Sequence, residues 1–164
     1  MTDFNSNFND IQKQISFANL TDEQIRVMCA VICDGYFAKI YKDPTTCRIN
    51  LKKARKKERL ERLLREANIP FRKEQYNPND PEFNTYLFSS PRIEKEFTTY
   101  WYNCSQHQLR VITDEVLNWD GSICRGRKSF SSNSKQTIDF LQFAFAACGK
   151  RTSIRKDDRV GRKH

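Results

Sequence analysis

The chain has 164 residues, enough for one ordinary domain or for two half-sized units that share a core. No run approaches the ~18 apolar residues that cross a bilayer, and the N-terminus lacks the order of a secretory signal, so we expect a soluble, cytoplasmic protein with no membrane partner. The 29 Lys and Arg outnumber the 20 Asp and Glu, and the net charge of +9 favours a polyanionic partner.

The positive charge is concentrated in two segments. Residues 39–73 hold 13 basic and 4 acidic side chains, and residues 121–164 hold 11 and 3. Residues 1–34 and 74–120 are net acidic. Each basic segment follows an apolar stretch that ends in Asp-Gly, which indicates that a structural unit occurs twice.

The first copy begins with "LTDEQIRVMCAVICDG". Thr21 and Gln24 form a capping box, apolar residues recur at helical spacing, and Gly35 ends the helix. The segments "YFAKIYKD" and "TTCRINLKK" around the turn "DPTT" predict a hairpin with one apolar and one basic face. The stretch "RKKERLERLLREANIP" predicts a helix, and "FRKEQYN" with "FNTYLFSS" predicts a second hairpin. The order is α-β-β-α-β-β.

The second copy begins at Ser105 with "SQHQLRVITDEVLNWDG", where Ser105 and Gln108 repeat the capping box. Short strands are predicted in "SICRG" and "RKSFSS", a helix in "SKQTIDFLQFAFAACGK" and a strand in "RTSIRKDDR". The side chains expected to face inward are Leu109, Ile112, Val116 and Trp119 in the first helix and Ile138, Leu141, Phe145 and Cys148 in the second.

We therefore expect three parts in the chain. Residues 1–19 form an N-terminal arm, residues 20–100 the first repeat and residues 101–164 a second repeat that is truncated before its last strand. The fold class is α+β.

An apolar helix that ends in Asp-Gly, present twice and followed each time by a basic hairpin, resembles the LAGLIDADG homing endonucleases. The signature aligns with "VMCAVICDG" at 27–35 and "TDEVLNWDG" at 113–121, and the resemblance covers roughly residues 20–158. It implies a pseudo-two-fold repeat of αββαββ units, in which the two signature helices pack together and two antiparallel sheets form a DNA-binding saddle.

The resemblance also implies a site. Asp34 and Asp120 match the acidic residues at the ends of the family's signature helices, which bind divalent metal beside each scissile phosphate. Mg²⁺, or another divalent cation such as Mn²⁺, is the expected cofactor, because hard cations prefer oxygen ligands and can activate water. Lys95 is the candidate for the basic catalytic residue of such sites.

The expected partner is double-stranded DNA. Arg and Asn side chains suit the reading of base edges, and lysines suit phosphate contacts. The candidates on the first copy are Lys39, Tyr41, Arg48, Asn50, Lys52 and Arg72, and those on the second copy are Arg125, Arg127, Lys128 and Arg155.

The signature helices differ at the places where they should approach closely. The first has the small residues Cys29, Ala30 and Cys33, whereas the second has Glu115 and Trp119. The large Trp119 can complement Cys33, but Glu115 needs a partner or solvent, because burial of a lone carboxylate is costly.

The first functional hypothesis is a monomeric, sequence-specific, metal-dependent DNA endonuclease of the homing kind found in introns, inteins and phage genomes. A homodimer is the alternative assembly if the second repeat is incomplete. The alternative functions are a non-cleaving DNA-binding protein or RNA maturase on the same fold, and a partner module with a basic face.

Two other kinds of site are disfavoured. Only two histidines, His107 and His164, are available for a histidine-metal nuclease. The six cysteines contain no C-x-x-C pair, which favours reduced thiols over a zinc site or disulfides.

Overall fold

The computed structural model describes residues 19–156, so the predicted N-terminal arm lies outside the described residues except for Asn19. The elements in chain order are α1 (Asp22–Asp34), β1 (Gly35–Tyr36), β2 (Thr46–Leu51), α2 (Ala54–Glu66), β3 (Phe71–Asn77), β4 (Asp80–Ser89), a 3-10 helix (Thr99–Asn103), α3 (Gln106–Val116), β5 (Gly121–Cys124), β6 (Arg127–Phe130) and α4 (Lys135–Ala147). None of the helices in this range is long and apolar enough to cross a membrane.

The signature helices α1 and α3 begin with the predicted capping boxes. In α1, Thr21 Oγ1 accepts a hydrogen bond from the Gln24 N–H at 3.2 Å, and Gln24 Oε1 accepts one from the Thr21 N–H at 3.0 Å. Ser105 and Gln108 make the same reciprocal pair at the start of α3, at 3.1 and 2.9 Å. Each box satisfies two N–H groups that a helix start otherwise leaves without partners.

The helix α1 lies in the centre of the core. It packs against α2, α3 and the strands of the first half, so it is covered on more than the single face that the sequence pattern predicts. Its buried residues are Ile25, Val27, Met28, Cys29, Ala30, Val31 and Ile32. A helix that is apolar on most sides is typical of such a central position.

The first half forms a four-stranded antiparallel sheet in the order β1-β2-β4-β3. Alternate residues face the helices and are buried, namely Cys47, Ile49, Leu51, Tyr86 and Phe88. We call the opposite side the outer face. From the register, it carries Tyr36, Arg48, Asn50, Arg72, Glu74, Thr85 and Leu87.

The first strand is much shorter than predicted. The sequence predicts a strand throughout "YFAKIYKD", but β1 has two residues, and Lys39 and Tyr41 lie in the turns after it. The Asp43 carboxylate accepts hydrogen bonds from the N–H and Oγ1 of Thr45, at 2.8 and 2.7 Å. Side-chain bonds of this kind satisfy a turn locally and compete with a sheet ladder.

The second half contains one hairpin within the described residues. The strands β5 and β6 pair from Gly121 opposite Phe130 to Cys124 opposite Arg127, as predicted. Arg125 and Gly126 both have positive φ, 50° and 77°, which is typical of a two-residue hairpin turn.

The strand predicted in "RTSIRKDDR" is wrong over residues 151–156, which form neither helix nor strand, and its last residues lie outside the described range. The side chains of residues 151–156 are all exposed. No buried face is therefore present there to fix a strand register.

The helix α4 is rotated relative to the prediction. Of the four residues expected to face inward, Leu141 is buried, whereas Ile138, Phe145 and Cys148 are half-buried. The rings of Phe140 and Phe97 stack at 4.7 Å. Aromatic packing between α4 and the segment that joins the two halves therefore decides which face points inward. The buried residues of α4 are Thr137, Phe140, Leu141 and Ala144.

The glycine of each Asp-Gly pair is required by a close approach to the preceding helix. Gly35 has extended angles, φ −80° and ψ 165°, which any residue can adopt. A Cβ atom at Gly35 would lie 2.5 Å from the carbonyl oxygen of Val31, and one at Gly121 would lie 2.0 Å from that of Leu117. The obstructing carbonyl is four residues before the glycine in both copies, so the repeated motif has one steric cause.

We expect Gly35→Ala and Gly121→Ala each to lower the free energy of unfolding by about 3 kcal/mol, because the obstructing atom belongs to helix backbone and cannot rotate away. Gly126→Ala is the control, since open space surrounds Gly126 and only its positive φ opposes a side chain, at about 1 kcal/mol. Chemical denaturation of the three variants measures the free energy of unfolding that each one loses. A larger loss in Gly126→Ala would contradict the steric explanation.

Candidate active site

The carboxylates of Asp34 and Asp120 meet at one lysine. The Nζ atom of Lys56 lies 2.6 Å from Asp34 Oδ2 and 3.9 Å from Asp120 Oδ1, so the two oxygens are no further apart than the sum of these distances. Asp34 is the last residue of α1, and Asp120 directly precedes β5. The structure thus brings together the two acids that occupy equivalent places in the repeat.

The pair is only partly compensated by nearby positive charge. Burial raises the pKa of Asp120, and the negative charge of Asp34 raises it further, although Lys56 and Lys95 act in the opposite direction. Burial, followed by the charges of both carboxylates, also raises the pKa of the Cys33 thiol beside them. In the absence of a metal, Cys33 is therefore a neutral thiol beside the two carboxylates.

Basic side chains from other elements cap the ends of both signature helices. Lys95 Nζ donates hydrogen bonds to the carbonyl oxygens of Val31 and Ile32, both at 2.8 Å, and Arg55 Nη1 donates to that of Asn118 at 2.9 Å. Neither helix has a basic residue in its own last turn. Lys95 satisfies terminal carbonyls of α1 and opposes the negative end of its dipole, and Arg55 satisfies a carbonyl in the turn that follows α3.

Lys95 lies close enough to the acidic pair for the charges of Asp34 and Asp120 to act on it, as a basic catalytic residue would need to. Burial lowers the pKa of Lys95, while the negative charges of Asp34 and Asp120 act to raise it. Two of its three N–H donors are used by α1, so one remains for the pair or for a ligand. A catalytic role for Lys95 stays a prediction.

Lys56 is a site residue that the sequence patterns did not single out. It precedes Leu60 and Leu64 by four and eight residues, which places it on the buried face of α2. A lysine on a buried face indicates an internal anionic partner, and this signal was present in the sequence. Its Nζ atom also lies 5.9 Å from the centre of the Trp119 ring, a cation–π distance.

The partner that Glu115 requires is Arg59. Arg59 Nε and Nη2 donate to the two carboxylate oxygens of Glu115, both at 2.7 Å, and Trp119 Nε1 donates to Glu115 Oε1 at 2.9 Å. The Glu115 side chain is 2% exposed and that of Arg59 27% exposed. This bidentate pair replaces the small residues expected at the contact between the signature helices and joins α2 to α3.

Because Glu115 is sealed from water and Arg59 is not, we expect Arg59→Met to lower the free energy of unfolding by about 3–5 kcal/mol by leaving a buried charge unpaired. Adding Glu115→Gln removes that charge and keeps an acceptor for Trp119, so the double variant should be more stable than Arg59→Met. Urea denaturation of the two single variants and the double variant tests this. A double variant less stable than Arg59→Met would contradict it.

Lys56→Met should remove the cation that lets the two carboxylates stay close. We expect a loss of about 1.5–3 kcal/mol in the absence of metal, and a larger thermal stabilisation by Ca²⁺ than in the wild type, because the added cation no longer competes with the lysine. Lys57→Met is the matched control, since Lys57 donates to Glu82 O and Asn84 Oδ1 instead. Equal Ca²⁺ effects in both variants and the wild type would count against this.

The basic candidates of the first half divide between three environments. Arg48, Asn50 and Arg72 lie on the outer face. Lys52 pairs with Asp80 and Glu82, with Nζ–oxygen distances of 3.0 and 3.5 Å. Lys39 and Tyr41 lie in the turns that follow β1.

The basic candidates of the second half are all exposed. Arg125 lies in the hairpin turn, and Arg155 lies in the segment without regular structure. Arg127 and Lys128 are consecutive in β6, so their side chains leave opposite faces of the hairpin. The side chains of Arg127 and Lys128 therefore cannot both point into the same DNA groove from this hairpin.

The donor set of the acidic pair fits an open site for a hard divalent cation. Within residues 19–156, no group of three or more His, Cys, Asp or Glu side chains could enclose a metal. Two carboxylates suffice when phosphate and water oxygens supply the other ligands, which is the usual arrangement for Mg²⁺. The geometry therefore fits a cation shared with a phosphate ligand and does not fit a closed structural site.

An αββαββ first half, and two packed helices followed by one acidic pair, define the fold as that of the LAGLIDADG homing endonucleases. Solved structures of one such protein, I-DmoI, share it. I-DmoI in complex with DNA and Mn has a TM-score of 0.58 and 15% identity over 84% of this chain and 84% of that one. Mesophilic variants of I-DmoI have a TM-score of 0.58 and 16% identity, over 84% of this chain and 83% of that one. I-DmoI in complex with DNA and Ca has a TM-score of 0.58 and 15% identity, over 84% of this chain and 78% of that one.

These comparisons confirm the resemblance and the fold class that the sequence predicts. At this level of identity, the similarity describes the fold alone. No family model matches the sequence, and no curated protein matches it either.

Proposed function

We propose that this chain is a divalent-metal-dependent endonuclease of the homing kind, which hydrolyses phosphodiester bonds in double-stranded DNA at a specific site. The observation that carries the proposal is the convergence of Asp34, the last residue of α1, and Asp120, which follows the turn after α3, on a single cationic atom. The raised pKa of Asp120 is consistent with it, because burial and the nearby negative charge of Asp34 both disfavour the charged carboxylate, and a further cation would favour it. The DNA, Mn and Ca complexes of I-DmoI support the ligand classes.

In this proposal, Asp34 and Asp120 hold Mg²⁺ or a similar cation. When bound, such an ion supplies Lewis-acid stabilisation of phosphate charge and lowers the pKa of water. Lys56 Nζ, which contacts both carboxylates, donates to a phosphate oxygen placed beside them. Lys95 holds the end of α1, and therefore the Asp34 backbone, in place.

The basic strands position the DNA. Asp34 precedes β1 and Asp120 precedes β5, so the acidic pair lies where both sheets begin. A duplex across the outer face would bring base edges to Arg48, Asn50 and Arg72 and a phosphate to the acids. We assign the two repeats to residues 20–100 and 101–164. Because one chain supplies both acids, we infer that it acts as a monomer. We further propose that it acts in the cytoplasm.

The test incubates the full chain with a randomised duplex library in Mg²⁺, in Mn²⁺ or in EDTA. Metal-dependent cutting at a recoverable sequence supports the proposal. Salt-dependent binding without cutting in either metal would instead indicate a non-cleaving DNA-binding protein, and preferential binding to structured intron RNA would indicate a maturase. The absence of any salt-dependent nucleic-acid binding would leave the partner-module hypothesis.

Asp34→Asn and Asp120→Asn should each reduce cutting of the recovered site by more than about 100-fold while DNA binding changes only a few-fold, because each removes a metal ligand and leaves the outer face intact. Asp114→Asn is the matched control, since Asp114 is an exposed residue of α3 that pairs with Lys150. Single-turnover assays measure the cleavage rate of each variant, and gel-shift assays measure its affinity for DNA. Normal cutting by either site variant would overturn the metal-site assignment.

A further inference from the structure

The outer face contains an asparagine whose side chain is held in one orientation. Asn50 lies in β2 opposite Thr85 of β4, and Arg48 lies two residues before it on the same face. Asn50 Oδ1 lies 2.8 Å from Thr85 Oγ1 and 3.3 Å from Arg48 Nε. The carboxamide oxygen therefore has two hydrogen-bond partners within the sheet.

The chemistry of Arg48 fixes which carboxamide atom points inward. The Nε–H group of arginine can only donate, so the Asn50 atom that faces it must be the acceptor, Oδ1. Exchanging the oxygen and nitrogen of the carboxamide would place two donors against each other. Asn50 itself is exposed, and within residues 19–156 its Nδ2 group has no hydrogen-bond partner. The group available to a ligand is thus a donor alone.

This orientation changes which base Asn50 can read. A free asparagine recognises adenine with its oxygen and its nitrogen together, accepting from N6 and donating to N7. In this sheet the oxygen is already used by Thr85 and Arg48. Guanine presents two acceptors, O6 and N7, at its major-groove edge, whereas cytosine presents a donor.

We propose that Asn50 contacts the DNA through its Nδ2 donors alone and selects guanine rather than adenine, with Thr85 as the residue that positions it. This rests on the proposed function, in that the outer face must lie in a major groove. Thr85 is 3% exposed and cannot itself reach a base. Arg48 also offers only donors, so β2 as a whole favours an acceptor-rich sequence step.

The test is binding selection from a randomised duplex library in EDTA, followed by sequencing, so that cutting does not affect the result. The wild type should enrich guanine at one position, which Asn50→Ala relaxes by at least about 5-fold while other positions keep their preference. Asn50→Asp keeps an acceptor for Thr85 and Arg48 but presents an acceptor outward, so the same position should change from guanine to cytosine.

Two further variants separate reading from structure. Gln75→Glu introduces the same chemical change on the opposite face of the same sheet, because Gln75 pairs with Asn84, which bonds Lys57 of α2. Its selected sequence should equal that of the wild type. Thr85→Val keeps the volume but removes the hydroxyl donor, so adenine should increase at the Asn50 position alone. Thermal melting checks that each variant is folded.

Adenine at the Asn50 position in the wild type, retention of guanine by Asn50→Asp or an unchanged pattern in Thr85→Val would overturn the proposal. Failure of the wild type to enrich any sequence would overturn it together with the DNA-binding function. Enrichment of guanine by a protein that does not cut in Mg²⁺ or Mn²⁺ would support it and contradict only the proposed cleavage.

Discussion

The fold has to hold two like charges together at the ends of two packed helices, and the side chains of α2 make this possible. Lys56 contacts both Asp34 and Asp120 and offsets part of their charge, and three residues further along the same face Arg59 neutralises Glu115 of α3. Residues three apart on a helix are neighbours, so one helix face presents both cations. The helix α2 therefore ties α1 and α3 together electrostatically as well as through its leucines.

This tie explains how the second signature helix tolerates large side chains. Two helices approach closely when small residues meet, and Cys29 and Ala30 of α1 are fully buried. The corresponding places in the second copy hold Glu115 of α3 and Trp119 in the turn after it, and both are buried, because Arg59 satisfies the carboxylate and the carboxylate satisfies the indole N–H. The contact is thus asymmetric: an apolar surface on one side meets a closed polar network on the other.

The sequence predicted the features that depend on local chemistry. Residues close together in the chain determine the capping boxes, the hairpins at β3–β4 and β5–β6, and the leucine face of α2. The repeated Asp-Gly pair also led us to expect that Asp34 and Asp120 lie close together, and both contact Lys56. The inward face of α4 and the brevity of β1 could not be predicted, because aromatic packing with Phe97 and a side-chain turn at Asp43 decide them. A carboxylate at the place of Glu115 predicted that a partner was needed, but the sequence could not say which residue it is. The partner is Arg59, because the packing of α2 on α3 places it there.

Net charge also had to be interpreted through the structure. Part of the positive charge of residues 39–73 is already paired with acids: Lys52 pairs with Asp80 of the first half, whereas Lys56 contacts Asp34 and Asp120, and Arg59 pairs with Glu115 of the second half. The basic residue Lys135 of α4, the counterpart of α2 in the second half, pairs with Asp139 of its own helix. The cations that contact the acidic pair and the end of α3 therefore come from the first half. The two halves both place a carboxylate at the site, but the cations that support these carboxylates come from the first half.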